Sequence, residues 1–276
     1  MKIAAVQMVS TPSVERNLET ARRLVGRAAA DGATLVALPE YFCFMGKADR
    51  DKLAIAEVPG EGPIQRMLAE AAREHGVWLI GGTLPLTLDA AARQGGGAVD
   101  RVMNANLVFS PRGELAARYD KMHLFAYDNG RERYDESRTL QAGRTPVAFA
   151  AGDLRVGLSV CYDLRFPELY RALARPPCDL ISVPSAFTYT TGAAHWEVLL
   201  RARAIENQCY VVAAAQGGTH ENGRRTFGHS LVVDPWGEVV ACRSEEGEGV
   251  VIAGVDTERI AAVRRQLPAL EHRLDF

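Results

Sequence analysis

Residues 230–239, SLVVDPWGEV, repeat residues 106–115, NLVFSPRGEL, almost position for position. Each stretch reads as a strand, a turn that contains Pro and Gly, and a returning strand. One copy lies in each half of the 276-residue chain. The pair therefore predicts that one supersecondary unit occurs twice, and that the two halves of the molecule are built alike.

The segments before each copy follow the same order of strand, helix, strand, helix and strand. The predicted strands are short and nearly continuously apolar, as strands buried on both faces are. They cover residues 3–8, 34–38, 77–80, 106–109, 155–160, 180–183, 210–215, 230–233 and 250–255. The predicted helices are amphipathic and cover residues 14–30, 63–75, 167–174 and 195–207. Strands that alternate with helices predict an α/β fold.

Two architectures satisfy this order of elements. In a four-layer αββα sandwich, each half forms one mixed sheet with helices on one face, and the two bare sheet faces pack together. In the alternative, all strands join one doubly wound sheet. Periodicity alone does not separate them, and the duplicated hairpin favours the sandwich. No charge block or Ser/Pro-rich linker divides the chain, so we expect residues 1–276 to form a single domain, with the Gly-rich stretch 93–100 as a mobile surface loop.

Composition narrows the function classes. The chain has a formal net charge of -2, and positive and negative residues are interspersed along it. The sequence therefore does not show the concentrated positive charge that binding to nucleic acid or an acidic membrane requires. No apolar run reaches the length of a membrane span, and the first one is too short for a signal peptide. The five cysteines lack a CxxC pair, and the six histidines lack metal-binding spacing. We therefore expect a cytoplasmic protein with reduced cysteines, no metal and no cofactor.

The strongest candidate nucleophile is Cys161. It follows the strand segment GLSV and precedes a helix that Pro167 can open, so this strand–turn–helix layout would project the thiol at the sheet edge. The closing Gly of a GxSxG elbow is absent. A buried structural cysteine is the alternative interpretation. Among the other cysteines, Cys43 is the one serious rival, because it lies close to Glu40 in the sequence.

Three charged residues could complete a site around this thiol. Glu40 follows the strand segment TLVALP, whose apolar character suits a general base, although a helix-cap or surface glutamate would look the same. Lys121, in RYDKMHLF, could lower the pKa of the thiol and later face an oxyanion, unless it is a surface lysine. Glu136, in YDESRTL, is a fourth candidate or a helix-start carboxylate beside Ser137. Together these groups are far more specific than any one alone, and they indicate catalysis by a thiol.

At these residues the sequence resembles the nitrilase superfamily of carbon–nitrogen hydrolases. The resemblance rests on LPEYF around Glu40, YDKMHLF around Lys121, YDESRTLQAG around Glu136 and SVCYDLRFPELYR around Cys161, and it extends over essentially the whole chain. It implies the αββα sandwich, a Glu40–Lys121–Cys161 catalytic set, a supporting role for Glu136 and an oxyanion contact from the backbone amide of Tyr162. It also implies a thioester intermediate and a homodimer or larger homo-oligomer.

Residues 186–241 are most similar to the deaminated glutathione amidase branch of this superfamily. The resemblance implies a small 2-oxo acid amide as the substrate, namely deaminated glutathione, which would be cleaved to 2-oxoglutarate and cysteinylglycine. Arg165 would then be the natural partner of a substrate carboxylate. An ion pair of Arg165 with Glu168 or Asp163 is an equally open interpretation.

Several alternatives stay open at this point. Phe187 and Thr188, in SAFTYTTG, could line the substrate pocket, although such residues serve ordinary loop packing just as often. An omega-amidase for 2-oxoglutaramate, or an N-carbamoyl amide hydrolase, would use the same catalytic groups. A non-catalytic binding protein on the same fold would be revealed by loss of Glu40, Lys121 or Cys161, and all three are present.

Overall fold

The computed structural model describes residues 1–88 and 101–274, so the predicted loop at 93–100 lies outside the described residues. The helices are α1 (Val14–Ala30), α2 (Pro63–His75), α3 (Pro167–Leu173), α4 (Tyr189–Asn207) and α5 (Thr257–Gln266). The strands are β1 (Lys2–Gln7), β2 (Leu35–Ala37), β3 (Trp78–Ile80), β4 (Leu84–Leu86), β5 (Val102–Phe109), β6 (Leu115–Asp120), β7 (Ala126–Asp128), β8 (Arg133–Asp135), β9 (Leu140–Gln141), β10 (Val147–Ala151), β11 (Leu154–Leu158), β12 (Leu180–Ser182), β13 (Tyr210–Ala213), β14 (Gly217–Thr219), β15 (Arg225–Phe227), β16 (Leu231–Val233), β17 (Val239–Cys242) and β18 (Gly249–Gly254).

Two large sheets share one plan. The first has the order β18-β1-β2-β3-β5-β4, and β6 and β9 also pair with β5. The second has the order β10-β11-β12-β13-β16-β17. In the first sheet, β18 is antiparallel to β1, strands β1, β2 and β3 are parallel, and the β5–β6 hairpin follows antiparallel. The second sheet repeats this pattern. In it, β10 is antiparallel to β11, strands β11, β12 and β13 are parallel, and the β16–β17 hairpin follows antiparallel. The predicted duplication is confirmed.

Alternate residues of β1 show how the four layers form. Ile3 and Ala5 belong to the core that also contains Val156 and Leu158 of β11 in the other sheet. The intervening Ala4 and Val6 join a separate core with the apolar faces of α1 and α2. Because successive side chains of a strand point to opposite faces, the first sheet is covered by the second sheet on one side and by helices on the other. The fold is therefore the predicted αββα sandwich, and not one doubly wound sheet.

The helix boundaries follow local capping. The helices predicted at 14–30 and 63–75 are confirmed to the residue: Ser13 caps the start of α1, and Gly76, at φ 61°, ends α2. The helix predicted at 195–207 begins earlier, at Tyr189, because the Thr188 side chain accepts a hydrogen bond from the Thr191 amide. Helix α5, which Asp256 caps through the Glu258 amide, was not predicted from the sequence. Seven short strands were not predicted either, and most of them span too few residues for a periodic signal: β4, β7, β8, β9, β10, β14 and β15.

Candidate active site

Cys161 lies on a tight backbone turn just beyond β11. Its φ angle is 50°, a left-handed conformation that a non-glycine residue adopts only when its surroundings hold it there. The Cys161 amide donates a hydrogen bond of 2.9 Å to the Pro184 carbonyl, in the segment that follows β12. From Cys161 the chain continues as a 3₁₀ turn to Arg165 and then into α3, which begins at Pro167. The predicted strand–turn–helix layout around this thiol is confirmed.

One buried carboxylate, that of Asp163, holds this turn in place. Its Oδ2 accepts hydrogen bonds from the Val160 amide at 2.8 Å and the Tyr119 hydroxyl at 2.7 Å. Its Oδ1 accepts one from the His123 amide at 3.0 Å and lies 2.7 Å from His123 Nδ1. Tyr119 and His123 flank Lys121 in the sequence, so the same carboxylate fixes both the thiol turn and the segment that carries the lysine.

The Lys121 ammonium lies between two carboxylates. Its Nζ donates hydrogen bonds of 2.8 Å to Glu40 Oε1 and of 2.8 Å to Glu136 Oε2, with a further bond of 3.0 Å to Glu136 Oε1. The Lys121 side chain is fully buried. The interpretation of Lys121 as a surface lysine is therefore wrong.

Glu40 is also fixed from other directions. Its Oε1 accepts a second hydrogen bond, of 3.0 Å, from the Asn104 side-chain amide on β5. Its Oε2 accepts one of 3.0 Å from the Ala186 backbone amide. Ala186 follows β12 in the other half of the molecule, so this glutamate links both halves. It is 1% exposed, which excludes the surface interpretation.

Glu136 begins a 3₁₀ turn, as the helix-start interpretation requires, and it also contacts Lys121. Its Oε1 accepts a hydrogen bond of 2.7 Å from the Tyr41 hydroxyl, and its Oε2 accepts one of 2.7 Å from the Phe125 amide. Asp135 caps the turn through the Ser137 amide. The two interpretations of this residue are therefore compatible.

Mutual electrostatics set the charge states of the group. Burial by itself lowers the pKa of Lys121, but the carboxylates of Glu136 and Glu40 outweigh it and raise that pKa above its usual value. Burial tends to raise the pKa of Glu136, but Lys121 outweighs it and lowers that pKa. Burial and then the Glu40 carboxylate raise the pKa of the Cys161 thiol well above its usual value, although Lys121 opposes them. Lys121 therefore acts on the thiol pKa in the expected direction, but burial and the carboxylates outweigh it.

The predicted site residues other than Lys121 line one cavity, and Lys121 contacts two of them, Glu40 and Glu136. The cavity is lined by Glu40, Glu136, Cys161, Tyr162, Arg165, Phe187 and Thr188, together with Phe125, Ala186, Thr191 and Arg224. The rival thiol, Cys43, lies elsewhere, in the core between the first sheet and α1 and α2. Burial raises the pKa of Cys43 far above its usual value. The cavity therefore contains one thiol, and that thiol lies beside the Glu40–Lys121–Glu136 group.

Arg165 is positioned by aromatic rings. Its guanidinium lies 5.8 Å from the centre of the Tyr162 ring and 5.3 Å from that of Phe187. It donates a hydrogen bond of 3.1 Å to His195 Nδ1. Asp163, one of the two alternative ion-pair partners, instead accepts the hydrogen bonds that hold the Cys161 turn. The arrangement leaves Arg165 at the cavity with a positive charge that a substrate carboxylate can meet.

Phe187 and Thr188 both line the cavity and both serve packing. The Phe187 ring lies 4.9 Å from that of Trp196. The Thr188 hydroxyl lies 2.9 Å from the Thr191 hydroxyl at the start of α4. The sequence is compatible with a pocket role and with a packing role for these residues, and so is the structure.

Three residues at or near the site were missed from the sequence. Asn104 contacts Glu40, Asp163 holds the thiol turn, and Arg224 lines the cavity and donates a hydrogen bond of 2.8 Å to the Ala186 carbonyl. Asp163 stands two positions after the nucleophile in the quoted motif, which was an available signal. Asn104 and Arg224 reach the site from β5 and from a distant loop, so no local pattern marks them.

Within residues 1–88 and 101–274, no group of three or more His, Cys, Asp or Glu side chains is placed to hold a metal ion. Over the same ranges, no helix has both the length and the apolar character that crossing a bilayer requires.

Comparison with known proteins places this geometry in a family. The sequence profile described as carbon-nitrogen hydrolase matches residues 2–265. The chain belongs to this family. A deaminated glutathione amidase from Synechocystis sp. is 41% identical over 275 residues, which cover 98% of this chain and 97% of that relative. The predicted family resemblance is therefore confirmed, and this carbon–nitrogen hydrolase is an amidase that acts on non-peptide C–N bonds of a small molecule.

Solved structures agree with this assignment. Nit3 of Saccharomyces cerevisiae, a member of branch 10 of the nitrilase superfamily, matches with a TM-score of 0.86 and 32% identity over 97% of this chain and 94% of that one. An amidase mutant from Nesterenkonia sp. AN1, with acrylamide added to its active site cysteine, matches with a TM-score of 0.78 and 26% identity. That match covers 97% of this chain and 98% of the amidase.

Proposed function

We propose that this carbon–nitrogen hydrolase cleaves its amide through a thioester on Cys161. The observation that carries the proposal is the Lys121 ammonium, held at 2.8 Å from both Glu40 and Glu136 beside the cavity that contains the thiol. Two carboxylates keep the ammonium charged and fixed, so it can stabilise an oxyanion. Because one of them, Glu40, also lines the cavity, it can exchange protons with the reacting groups.

In the first half of the reaction, Cys161 is acylated. Glu40 accepts the thiol proton as the sulfur attacks the substrate carbonyl, which avoids a free thiolate in a site that disfavours one. The developing oxyanion is met by Lys121 and by the Tyr162 amide. Tyr162 is the second residue of a helical turn, where backbone amides have no acceptor within the turn. The intermediate collapses, the C–N bond breaks, and the amine leaves with the proton that Glu40 held.

In the second half, water releases the acid. Glu40, again a carboxylate, accepts a proton from water as its oxygen attacks the thioester carbonyl. The tetrahedral intermediate expels the Cys161 sulfur, which recovers its proton from Glu40. Glu136 keeps Lys121 charged and positioned through both halves, while Tyr41 and the Phe125 amide hold Glu136.

The proposed substrate is a small 2-oxo acid amide, namely deaminated glutathione, cleaved to 2-oxoglutarate and cysteinylglycine. Support comes from the 41% identical relative named deaminated glutathione amidase. It also comes from Arg165, whose planar guanidinium suits a carboxylate and is held at the cavity between Tyr162 and Phe187. The proposal includes one domain over residues 1–276, because side chains from both halves line the cavity. The cytoplasmic location and the homo-oligomeric state of the protein remain predictions from the sequence and the resemblance.

The test is an assay of purified protein against deaminated glutathione, 2-oxoglutaramate and an N-carbamoyl amide, with rapid quenching and intact-mass spectrometry. We expect deaminated glutathione to give the highest kcat/KM, and a transient mass increase that matches the 2-oxoglutaryl thioester. Faster release of ammonia from 2-oxoglutaramate would favour an omega-amidase, and faster release of carbon dioxide would favour a carbamoyl hydrolase.

The matched variants are Cys161→Ala and Cys43→Ala, which each remove one buried thiol. Cys161→Ala should abolish both turnover and the transient adduct, whereas Cys43→Ala should keep both. Turnover in Cys161→Ala protein that remains folded by circular dichroism would contradict the proposal. Stoichiometric alkylation of Cys161 with no turnover of any substrate would indicate a binding protein instead.

A further inference from the structure

A second, larger cavity opens next to the catalytic one. Its volume is about 380 Å³, and it shares Phe125, Glu136 and Arg224 with the catalytic cavity. We refer to this second cavity as the vestibule. Because the two spaces share wall residues, a substrate whose carbonyl lies at Cys161 can extend its leaving group into the vestibule.

Lys47, Lys52, Arg131 and Arg224 line the vestibule without an ion pair to a carboxylate of residues 1–88 and 101–274, and of these four, Lys52 and Arg224 lie over aromatic rings. The Lys52 Nζ lies 5.3 Å from the centre of the Tyr41 ring. One nitrogen of Arg224 donates a hydrogen bond to the Ala186 carbonyl, and the guanidinium lies 5.1 Å from the centre of the Tyr134 ring. Arg224 Nε is buried without a hydrogen-bond partner among the described residues.

Three of the four acidic residues that line the vestibule are engaged with other residues, and the fourth, Asp49, favours the charged form of Lys52. Glu136 holds Lys121, Asp135 accepts hydrogen bonds from Ser137 and Arg138, and Glu132 accepts one from Thr190. Burial lowers the pKa of Lys52, and the neighbouring charge of Arg224 adds to this effect although Glu136 and Asp49 oppose it. A bound anion would favour the charged form of Lys52, which burial and the neighbouring charge of Arg224 oppose.

We propose that Lys52 and Arg224 bind a carboxylate on the leaving amine of the substrate. Arg165 lines the catalytic cavity alone, Arg224 lines both cavities, and Lys52 lines the vestibule alone. The cations therefore lie in an order that suits a dianionic amide, with one carboxylate on the acyl side of the scissile bond and another on the amine side. The inference rests on the proposed function, because it places the scissile carbonyl at Cys161.

The test compares three substrates that share the acyl group: deaminated glutathione, its C-terminal carboxamide, and 2-oxoglutaramate, which releases only ammonia. We expect the wild-type protein to prefer the carboxylate over the carboxamide. In Lys52→Met, the ratio of kcat/KM between these two should fall about 10- to 100-fold, as loss of a charged hydrogen bond predicts. Most of the loss should appear in KM. Lys52→Arg, which keeps the charge, should restore most of the ratio.

The matched control is Lys2→Met, which removes the same charge from an exposed residue that lines neither cavity. It should leave the ratio within about twofold, since an exposed charge contributes little. Equal rates on carboxylate and carboxamide in the wild type, or equal losses on both in Lys52→Met, would overturn the inference while leaving the thioester mechanism intact. Hydrolysis of none of the three substrates would instead overturn the proposed function and the inference with it.

Discussion

The two halves of the molecule have the same strands but different chemistry at the strand ends. In the first half Ile3 pairs with Leu35, and in the second half Val156 pairs with Leu180. Counting forward from these pairs, Met8 of the first half is equivalent to Cys161 of the second. In the same way, Glu40 is equivalent to Ser185. At these equivalent strand ends, Glu40 and Cys161 are the reactive side chains, and the equivalent residue in the other half, Ser185 or Met8, is chemically inert.

The difference shows that the duplication extends to the strands of the two halves but not to the side chains at the ends of these strands. Met8 is buried in the core with α1 and α2, and the Ser185 hydroxyl donates a hydrogen bond of 3.2 Å to Val183 in its own chain segment. Glu40 instead accepts a hydrogen bond from the Ala186 amide, directly after Ser185. The acid of one half thus meets the strand end of the other, and the site exists only where the two halves join.

The largest expected effect comes from changing the two equivalent positions Glu40 and Ser185. Glu40→Gln keeps the side-chain shape but cannot accept the thiol proton, so kcat should fall about 10²- to 10⁴-fold, as loss of a general base predicts. Ser185→Ala removes a hydroxyl that donates its hydrogen bond to Val183 in the same chain segment, so kcat should stay within about threefold of the wild-type value. Steady-state kinetics on deaminated glutathione measure both. A comparable loss of kcat in the two variants would show that this strand end matters for structure rather than for proton transfer.

A smaller effect, of opposite sign, is expected in the alkylation of Cys161. The Glu40 carboxylate helps to raise the pKa of this thiol, so Glu40→Gln should lower that pKa and increase the thiolate fraction at pH 8. Iodoacetamide should then modify Cys161 several-fold faster in Glu40→Gln than in the wild type, although amide turnover is slower. Mass spectrometry of the Cys161 peptide gives the rates.

Ser185→Ala is the control for alkylation, because it removes no charge and should keep the wild-type rate. In the wild type the rate should still rise with pH above 8, since the thiol remains mostly protonated there. Slower alkylation in Glu40→Gln would mean that the carboxylate promotes ionisation of the thiol, which the electrostatics of the buried site argue against.

The order of elements could be predicted because local signals specify it. Ser13 and Gly76 mark helix ends by their own chemistry, and the paired hairpins reveal the duplication. The start of α4 could not be predicted in this way. Its first turn contains Gly192, where a Cβ would lie 2.3 Å from Phe227 Cβ, so glycine is required there by a distant strand, β15. The same residue weakens the local helix signal.

A strand end is the clearest local signal of a site residue, whereas the roles of Glu136 and Arg165 were predicted from the family resemblance. Glu40 and Cys161 each follow a strand, and the structure brings them to one cavity with Glu136, beside buried Lys121. Lys52 gave no such signal, since its segment ADRDKLA has the composition of an ordinary solvated surface. Its position in the vestibule depends on how separate loops fold together, which a pattern within one segment does not contain.

The smallest expected effect concerns the hairpin turns, in which the two halves are most alike. In the first, the Arg112 and Glu114 amides donate to the Ser110 hydroxyl; in the second, the Trp236 and Glu238 amides donate to the Asp234 carboxylate. Each turn then places a glycine in the left-handed region, Gly113 at φ 77° and Gly237 at φ 89°. The surroundings of these two glycines differ.

Gly237→Ala should lower the free energy of unfolding by about 1–2 kcal/mol, the usual cost of a left-handed alanine. Its new Cβ would lie 2.6 Å from Ile205 Cδ1, the end of a partly exposed side chain that can move away. Gly113→Ala should lose about 1–3 kcal/mol more, because its Cβ would lie 2.6 Å from the Ala69 carbonyl oxygen, which is held in α2. Urea unfolding measures both. Equal losses would show that backbone conformation alone governs the two turns, so that the helices packed on them make no difference. Neither glycine lines the catalytic cavity, so kcat of the folded variants should match the wild type.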